Sequence, residues 1–156
     1  MLRTWLLDNT IGCLPAPVPA ALRPGQAVTV SVPAQCTWSN TGVQMRAGET
    51  YELAASGTWK DGHVPACGPG GYDTRGLGRA EAWVLDRSEA WRRQPRQPWF
   101  SLTGCVGKSE AECFLIGARH VLSPRRAGVL HVFPNDVPGM YWNNTGAVSL
   151  RITRVT

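Results

Sequence analysis

The fold is indicated most clearly near the C-terminus, by Asn135-Asp-Val-Pro-Gly-Met-Tyr-Trp-Asn-Asn-Thr-Gly146 and the segment that follows directly, Ala147-Val-Ser-Leu-Arg-Ile-Thr-Arg-Val155. The second part alternates apolar and polar side chains, and its apolar members are Val148, Leu150 and Ile152. Strict alternation is typical of a strand with one buried face and one wet face. The segment Ala27–Val32 alternates in the same way. The sequence therefore predicts strands that pack one face on a core, as in a β-sandwich.

Short apolar segments bounded by glycine and proline recur along the chain, which has 17 glycines and 12 prolines in 156 residues. Such segments indicate strands and turns, and we find no stretch with a sustained helical period. The predicted strands are Ala27–Val32, Val43–Arg46, Thr50–Gly57, Ala80–Leu85, Trp99–Val106, Cys113–Ile116, Val129–Phe133 and Ala147–Val155. The predicted fold class is all-β. The long connections at 62–78 and 86–98 are where binding sites tend to lie.

The loop 135–146 concentrates oxygen-bearing side chains around a turn. Asp136 precedes the Pro138-Gly139 pair, and two adjacent asparagines, Asn143 and Asn144, follow it. Because Pro-Gly reverses the chain, these side chains can face a common centre with the Met140 carbonyl between them. Calcium takes six to eight oxygen ligands of these kinds. An ordinary surface turn uses the same residue types, so composition leaves both interpretations open, although a turn needs only one Asx residue.

The same loop resembles the calcium- and galactose-binding loop of the PA-I (LecA-type) family of galactophilic bacterial lectins. The family pattern is Asp-Val-Pro-Gly-x-Tyr-x-Asn-Asn-Ser/Thr-Gly, and this chain matches it from Asp136 to Gly146. A second stretch that fits the family runs from Arg46 to Gly57 and continues through Asp61-Gly62 to Cys67-Gly-Pro-Gly-Gly71. The resemblance covers roughly residues 26 to 156. It is specific in the C-terminal loop and looser elsewhere.

The resemblance implies a jelly-roll sandwich, similar to a galactose-binding domain, that binds calcium (Ca2+) and through it galactose or related sugars and glycoconjugates. It implies calcium ligands from the side chains of Asp136, Asn143 and Asn144 and from the backbone carbonyls of Met140 and Asp61. Two neighbouring hydroxyls, the 3- and 4-hydroxyls of galactose, would fill the remaining positions. Asp136, Asn143 and Asp61 are also expected to contact the sugar.

Two positions differ from the family pattern. Asp61 stands where the family has a tyrosine that touches the sugar, and Tyr72-Asp-Thr-Arg-Gly76 stands where the family has a His-Pro pair. His63 is the candidate substitute, although a loop histidine is more often merely solvated. Trp142 is the other candidate for sugar binding. It either covers an apolar face of the pyranose or points inward and plugs the end of the sandwich.

The remaining residues suggest the domain organisation. Residues 1–24 are proline-rich and are predicted to form an extended arm or linker, with one sandwich domain at 25–156. The N-terminus does not match a signal peptide, and no segment is long enough to span a membrane. Location therefore stays open between the cytoplasm and non-classical export. A homo-oligomer also remains open.

The net charge is +5, carried mostly by arginine. The segment Trp91-Arg-Arg-Gln-Pro-Arg-Gln-Pro-Trp99 combines basic and aromatic residues, a mixture that can mark nucleic-acid binding. Because the basic cluster is short and lies in an expected loop, we predict a solvated loop and no nucleic-acid partner.

The five cysteines show no Cys-x-x-Cys spacing, so a zinc site is not expected. Cys105 and Cys113 flank a polar loop that could close a hairpin, which would make them cross-strand neighbours able to form a disulfide. The odd number leaves at least one thiol free or intermolecular.

We expect no enzymatic activity, because sugar chelation breaks no bond. Two other functions stay open. One is a protein-interaction or assembly module that keeps the sandwich without binding sugar. The other is a hydrolase using Asp73, Glu81, Asp86 and Glu89 as paired carboxylates, which the sequence cannot place.

Overall fold

A computed structural model describes residues 2–73, 75, 78–87 and 89–156. The strands are β1 (Ala27–Pro33), β2 (Ser39–Met45), β3 (Tyr51–Asp61), β4 (Leu102–Val106), β5 (Phe114–Leu115), β6 (Arg119–Leu122), β7 (Gly128–Pro134) and β8 (Asn144–Arg154). The α-helices are α1 (Leu2–Leu7) and α2 (Arg79–Arg87), and 3-10 turns occupy Glu89–Trp91, Glu110–Glu112 and Tyr141–Asn143.

The strands form two four-stranded sheets, with the orders β1-β8-β3-β6 and β2-β7-β4-β5. Neighbouring strands in both sheets pair antiparallel. The prediction of an all-β sandwich is confirmed. β8 is an inner strand of the first sheet, where it pairs with β1 over seven residues and with β3 over eleven.

The core lies between the sheets and follows the predicted alternation. Val148, Leu150 and Ile152 are buried in one cluster, whereas Ser149 and Arg151 are exposed. The second sheet contributes side chains such as Leu130 and Val132 to the same cluster. Burial of these large side chains, each contributing about 1.5–3 kcal/mol, is what joins the two sheets.

Several predicted boundaries are wrong. The segment Ala80–Leu85 is not a strand but lies within α2, whose Arg-Ala-Glu-Ala start consists of good helix formers. β6 was not predicted, since four residues give too short a pattern. β2 begins at Ser39 rather than Val43, and β3 continues to Asp61, where the site described below begins.

The N-terminal segment is fastened to the sandwich at several points. Leu7 packs with Trp38 and Phe133 in a second cluster, on the face of β7 opposite to the core because successive strand residues face opposite ways. A disulfide joins Cys13 to Cys36, and Leu22 enters the main core. The division of the chain into an arm and a domain at residue 24 stays a prediction.

Four of the five cysteines form two disulfides. Cys105 and Cys113 form a disulfide beside the β4–β5 pair, which confirms the predicted pairing of these two residues. With Cys13 and Cys36 joined, Cys67 is the free cysteine. No helix among the described residues is long and apolar enough to cross a membrane.

Candidate functional site

The residues predicted to bind calcium meet at one end of the sandwich. Asp61 is the last residue of β3 and pairs directly with Asn144, the first residue of β8. The Gly62 N–H donates to the Asn143 carbonyl at 3.2 Å. Asp136 follows β7 and accepts a hydrogen bond at Oδ2 from the Asn144 amide nitrogen at 2.9 Å. Strand pairing thus brings together Asp61 and Asn144, which are 83 positions apart in the sequence.

Asp136 is a buried carboxylate with only 1% of its surface exposed. Its Oδ1 accepts a hydrogen bond from the Val137 N–H at 2.7 Å. Burial, and then the nearby Asp61 charge, raises the pKa of Asp136 to about 7. Burying an ionised carboxyl without a counter-charge is costly, so this position favours a cation close by.

The paired asparagines each present a side-chain oxygen that lacks a partner. Oδ1 of Asn143 and Oδ1 of Asn144 are both buried and accept no hydrogen bond. The Asn144 amide nitrogen donates to Asp136 Oδ2 and to the Ala34 carbonyl, at 2.9 and 3.0 Å, whereas the amide oxygen of the same side chain has no hydrogen-bond partner. A buried acceptor without a partner costs about 1–3 kcal/mol. Hard cations bind such oxygens, and the residues present therefore fit calcium.

Asp61 reaches the site with its side chain. Its carboxyl Oδ2 accepts a hydrogen bond from Trp99 Nε1 at 2.9 Å, and its backbone N–H donates to the Tyr72 hydroxyl at 2.9 Å. Its carbonyl, the predicted ligand atom, accepts a hydrogen bond from the Val64 N–H at 2.9 Å. Burial raises the pKa of Asp61 above its usual value, and the Trp99 hydrogen bond lowers it.

These groups open into a cavity of about 990 Å³. The predicted site residues that line the cavity are Asp61, His63, Asp136, Met140, Trp142 and Asn143. Asn144 is not part of the lining but donates a hydrogen bond to Asp136. Trp142 is 72% exposed. The alternative in which Trp142 plugs the sandwich end is therefore wrong. Among the described residues, no three His, Cys, Asp or Glu side chains gather as a metal cluster, so a cation held here would need amide or backbone oxygens as well as the carboxylates.

Sequence reasoning missed the residues that other segments bring to this cavity. They are Gly62, Val64, Ala80, Glu81, Trp91, Trp99 and Val137. For Trp91 and Trp99 the signal in the sequence was their position on either side of the arginine cluster, which was interpreted as a solvated loop. Glu81 was considered only as a hydrolase carboxylate, and the other residues have no distinguishing pattern. The interpretation as a solvated loop is wrong for Arg93, which is only 3% exposed.

Arg93 anchors this loop beneath the site. Its guanidinium lies over the Phe133 and Trp38 rings, at 3.3 and 4.2 Å from the ring centroids. It donates through Nε to Glu110 at 2.7 Å and through Nη1 to the Tyr141 hydroxyl at 3.1 Å. Its backbone N–H donates to the Asp136 carbonyl at 3.1 Å. The loop that carries Trp91 is thereby held against the turn that carries Trp142.

The return of this loop to β4 passes through a residue in an unusual conformation. Phe100 is buried and has a φ of 61°, which is uncommon for a residue other than glycine. It packs on Trp59 and Tyr72, with centroid separations of 5.4 and 5.7 Å. Such strain persists only where the surroundings determine it. Here the packing places Trp99 so that its indole reaches Asp61.

The fold and the site define a two-sheet antiparallel sandwich with an oxygen-rich cleft at one end. In structure, the chain is similar to the N-terminal domain of EclA, described as a PllA-like lectin, with a TM-score of 0.60 and 24% sequence identity. The match covers 81% of this chain and 94% of that one. At this identity the likeness shows the shared fold, and membership of the LecA-type family stays a prediction. Neither a protein-family model nor a curated protein matches the sequence.

Proposed function

We propose that this protein is a calcium-dependent lectin for galactose or related sugars. The observation that carries the proposal is the pair of buried amide oxygens without partners, on Asn143 and Asn144, beside the buried carboxylate of Asp136. A buried carboxylate and surplus oxygen acceptors are what a bound hard cation requires. The similarity to a domain described as a lectin supports the same conclusion.

The chain's own residues would divide the work. Asp136, Asn143 and Asn144 would hold the ion with their side chains, and Asp61 and Met140 would complete the protein's contribution. Bound calcium supplies open coordination positions that two neighbouring sugar hydroxyls can fill. Asp136 and Asn143 would accept hydrogen bonds from those hydroxyls, and His63 lines the same cavity within reach of further polar contacts.

Trp142 suits the apolar face of a sugar ring. Its indole is exposed and lines the cavity beside Asn143, and an indole is a rigid amphipathic surface. The proposal needs no general acid, base or nucleophile, so we propose a binding protein and not an enzyme. The proposed partners are glycoconjugates that end in a galactose-type sugar.

The metal is tested by calorimetric titration of calcium into the wild-type protein, Asp136→Ala and the isosteric Asp136→Asn. We expect one calcium per chain in the wild type, no detectable binding in Asp136→Ala, and strongly weakened binding in Asp136→Asn. Asp73→Asn is the matched control, because Asp73 is exposed and pairs with Arg75 away from the cavity lining. Unchanged binding in both Asp136 variants would remove this residue from a metal site.

Sugar binding is tested on a glycan array, with calcium, with EDTA, and with magnesium added after EDTA. Binding should vanish in EDTA and return with calcium but not with magnesium, which requires a smaller octahedral shell and releases its waters reluctantly. Sugar binding that survives EDTA would contradict the proposed mechanism. Calcium binding without any sugar binding would favour the protein-interaction module instead.

A further inference from the structure

Asp61 brings to the site a second carboxylate whose position is fixed by two neighbours. Asp61 and Asn144 are directly opposite in the β3–β8 ladder, and side chains of directly opposite residues lie on the same face of a sheet. Asn144 in turn donates to Asp136. Asp61 and Asp136 are therefore both neighbours of one buried amide, whose Oδ1 has no partner, and both line the cavity.

The Trp99 indole holds the Asp61 side chain in this place. Its Nε1 donates to Oδ2 at 2.9 Å, a bond that occupies one of the two carboxyl oxygens. Trp99 is itself buried, at the end of the loop that Arg93 anchors. A side chain held by a buried donor loses little further conformational freedom when it meets a ligand.

The charges around the cavity are unbalanced. The described residues that line it include Asp61, Glu81 and Asp136 but no lysine or arginine, although the protein as a whole carries a net charge of +5. The guanidinium of Arg93 is directed instead to Glu110, Tyr141 and the Thr37 carbonyl. The Arg93 charge lowers the pKa of Asp136, but less than burial and the Asp61 charge raise it. The two carboxylates therefore repel each other until a divalent cation lies close to both.

We infer that the Asp61 side chain, and not only its backbone carbonyl, belongs to the cation site, which then carries two carboxylates and selects ions of charge +2 or greater. This inference rests on the proposed function, because it concerns the same site. The ligand charge count is what tunes calcium affinity in oxygen-ligand sites.

Asp61→Asn separates the two roles, since it keeps the carbonyl and an acceptor for Trp99 but removes the charge. In calorimetric titrations with calcium, Asp61→Asn should bind about tenfold more weakly or worse, because a unit charge near a divalent ion contributes even in high dielectric. Asp73→Asn, the exposed control, should bind as the wild type does. Terbium(III), detected by luminescence that the cavity tryptophans sensitise, should show a larger loss than calcium.

Thermal unfolding in EDTA distinguishes an effect of the Asp61 charge from a purely structural role of Asp61 as the hydrogen-bond acceptor of Trp99. If Asp61 served only as an acceptor for Trp99, Asp61→Asn would be no more stable than the wild type in EDTA and would bind calcium equally well. Under our inference Asp61→Asn is more stable than the wild type in EDTA, because a repulsive charge is gone, and it gains less stability from calcium. Equal calcium affinity in the two proteins would overturn the inference alone. Absence of calcium binding in the wild type would overturn it together with the proposed function.

Discussion

Replacing Arg93 by methionine should destabilise the protein far more than replacing an exposed arginine. The change removes the donors to Glu110, Tyr141 and the Thr37 carbonyl, together with the guanidinium that lies over the Phe133 ring. Breaking a buried ion pair by removing one partner costs about 3–5 kcal/mol. Glu110 is partly exposed and keeps Arg3 at 3.4 Å, so we expect the lower end, about 3 kcal/mol.

The assay is thermal unfolding followed by circular dichroism. In a domain of this size about 1 kcal/mol shifts the Tm by roughly 2–4 °C, so Arg93→Met should lower it by about 6–12 °C. The control is Arg75→Met, whose ion pair with Asp73 is exposed and screened by solvent, so its Tm should stay close to that of the wild type. Calcium affinity should also fall in Arg93→Met, because Tyr141 begins the turn that carries Asn143. Equal Tm values for the two variants would refute the anchoring role of Arg93.

Two further predictions concern single side chains. Trp142→Ala should weaken sugar binding by about 1–3 kcal/mol, as loss of a central anchor does, with little change in Tm because Trp142 is exposed. The control is Trp5→Ala, which removes an equally exposed tryptophan outside the cavity lining and should change neither sugar affinity nor Tm. A Trp142→Ala variant with a lowered Tm but unchanged sugar affinity would exclude Trp142 from the site. In EDTA, the wild type should lose stability relative to His131→Gln as the pH drops below about 6.5, because burial lowers the pKa of His131 in the folded state and the unfolded chain then binds the proton first. Asp136, whose raised pKa works in the opposite direction, is present in both proteins and cancels in the comparison. Parallel stability profiles of the two proteins between about pH 7 and 5 would contradict this role of His131.

Much of the fold could be predicted because its pattern is local. Alternation in Ala147–Val155 and Ala27–Val32 has a period of two residues, and burial of one face follows directly from it. The disulfide of Cys105 and Cys113 was predictable for the same reason, since the two residues are eight positions apart on one hairpin. The segment Ala80–Leu85 could not be assigned this way, because a short apolar run does not distinguish strand from helix.

For the site, the chemistry of the loop could be recognised from the sequence, because Asp136 and the paired asparagines lie close together along the chain. Which atoms face each other depends on contacts that form only in the folded protein. Pairing of β3 with β8 brings Asp61 beside Asn144, and the anchoring of Arg93 brings Trp91 and Trp99 into the same cavity. These contacts join segments far apart in the chain. They depend on strand register and on the burial of Arg93. They could not be predicted, because neither the register nor the burial of a single arginine produces a local sequence pattern.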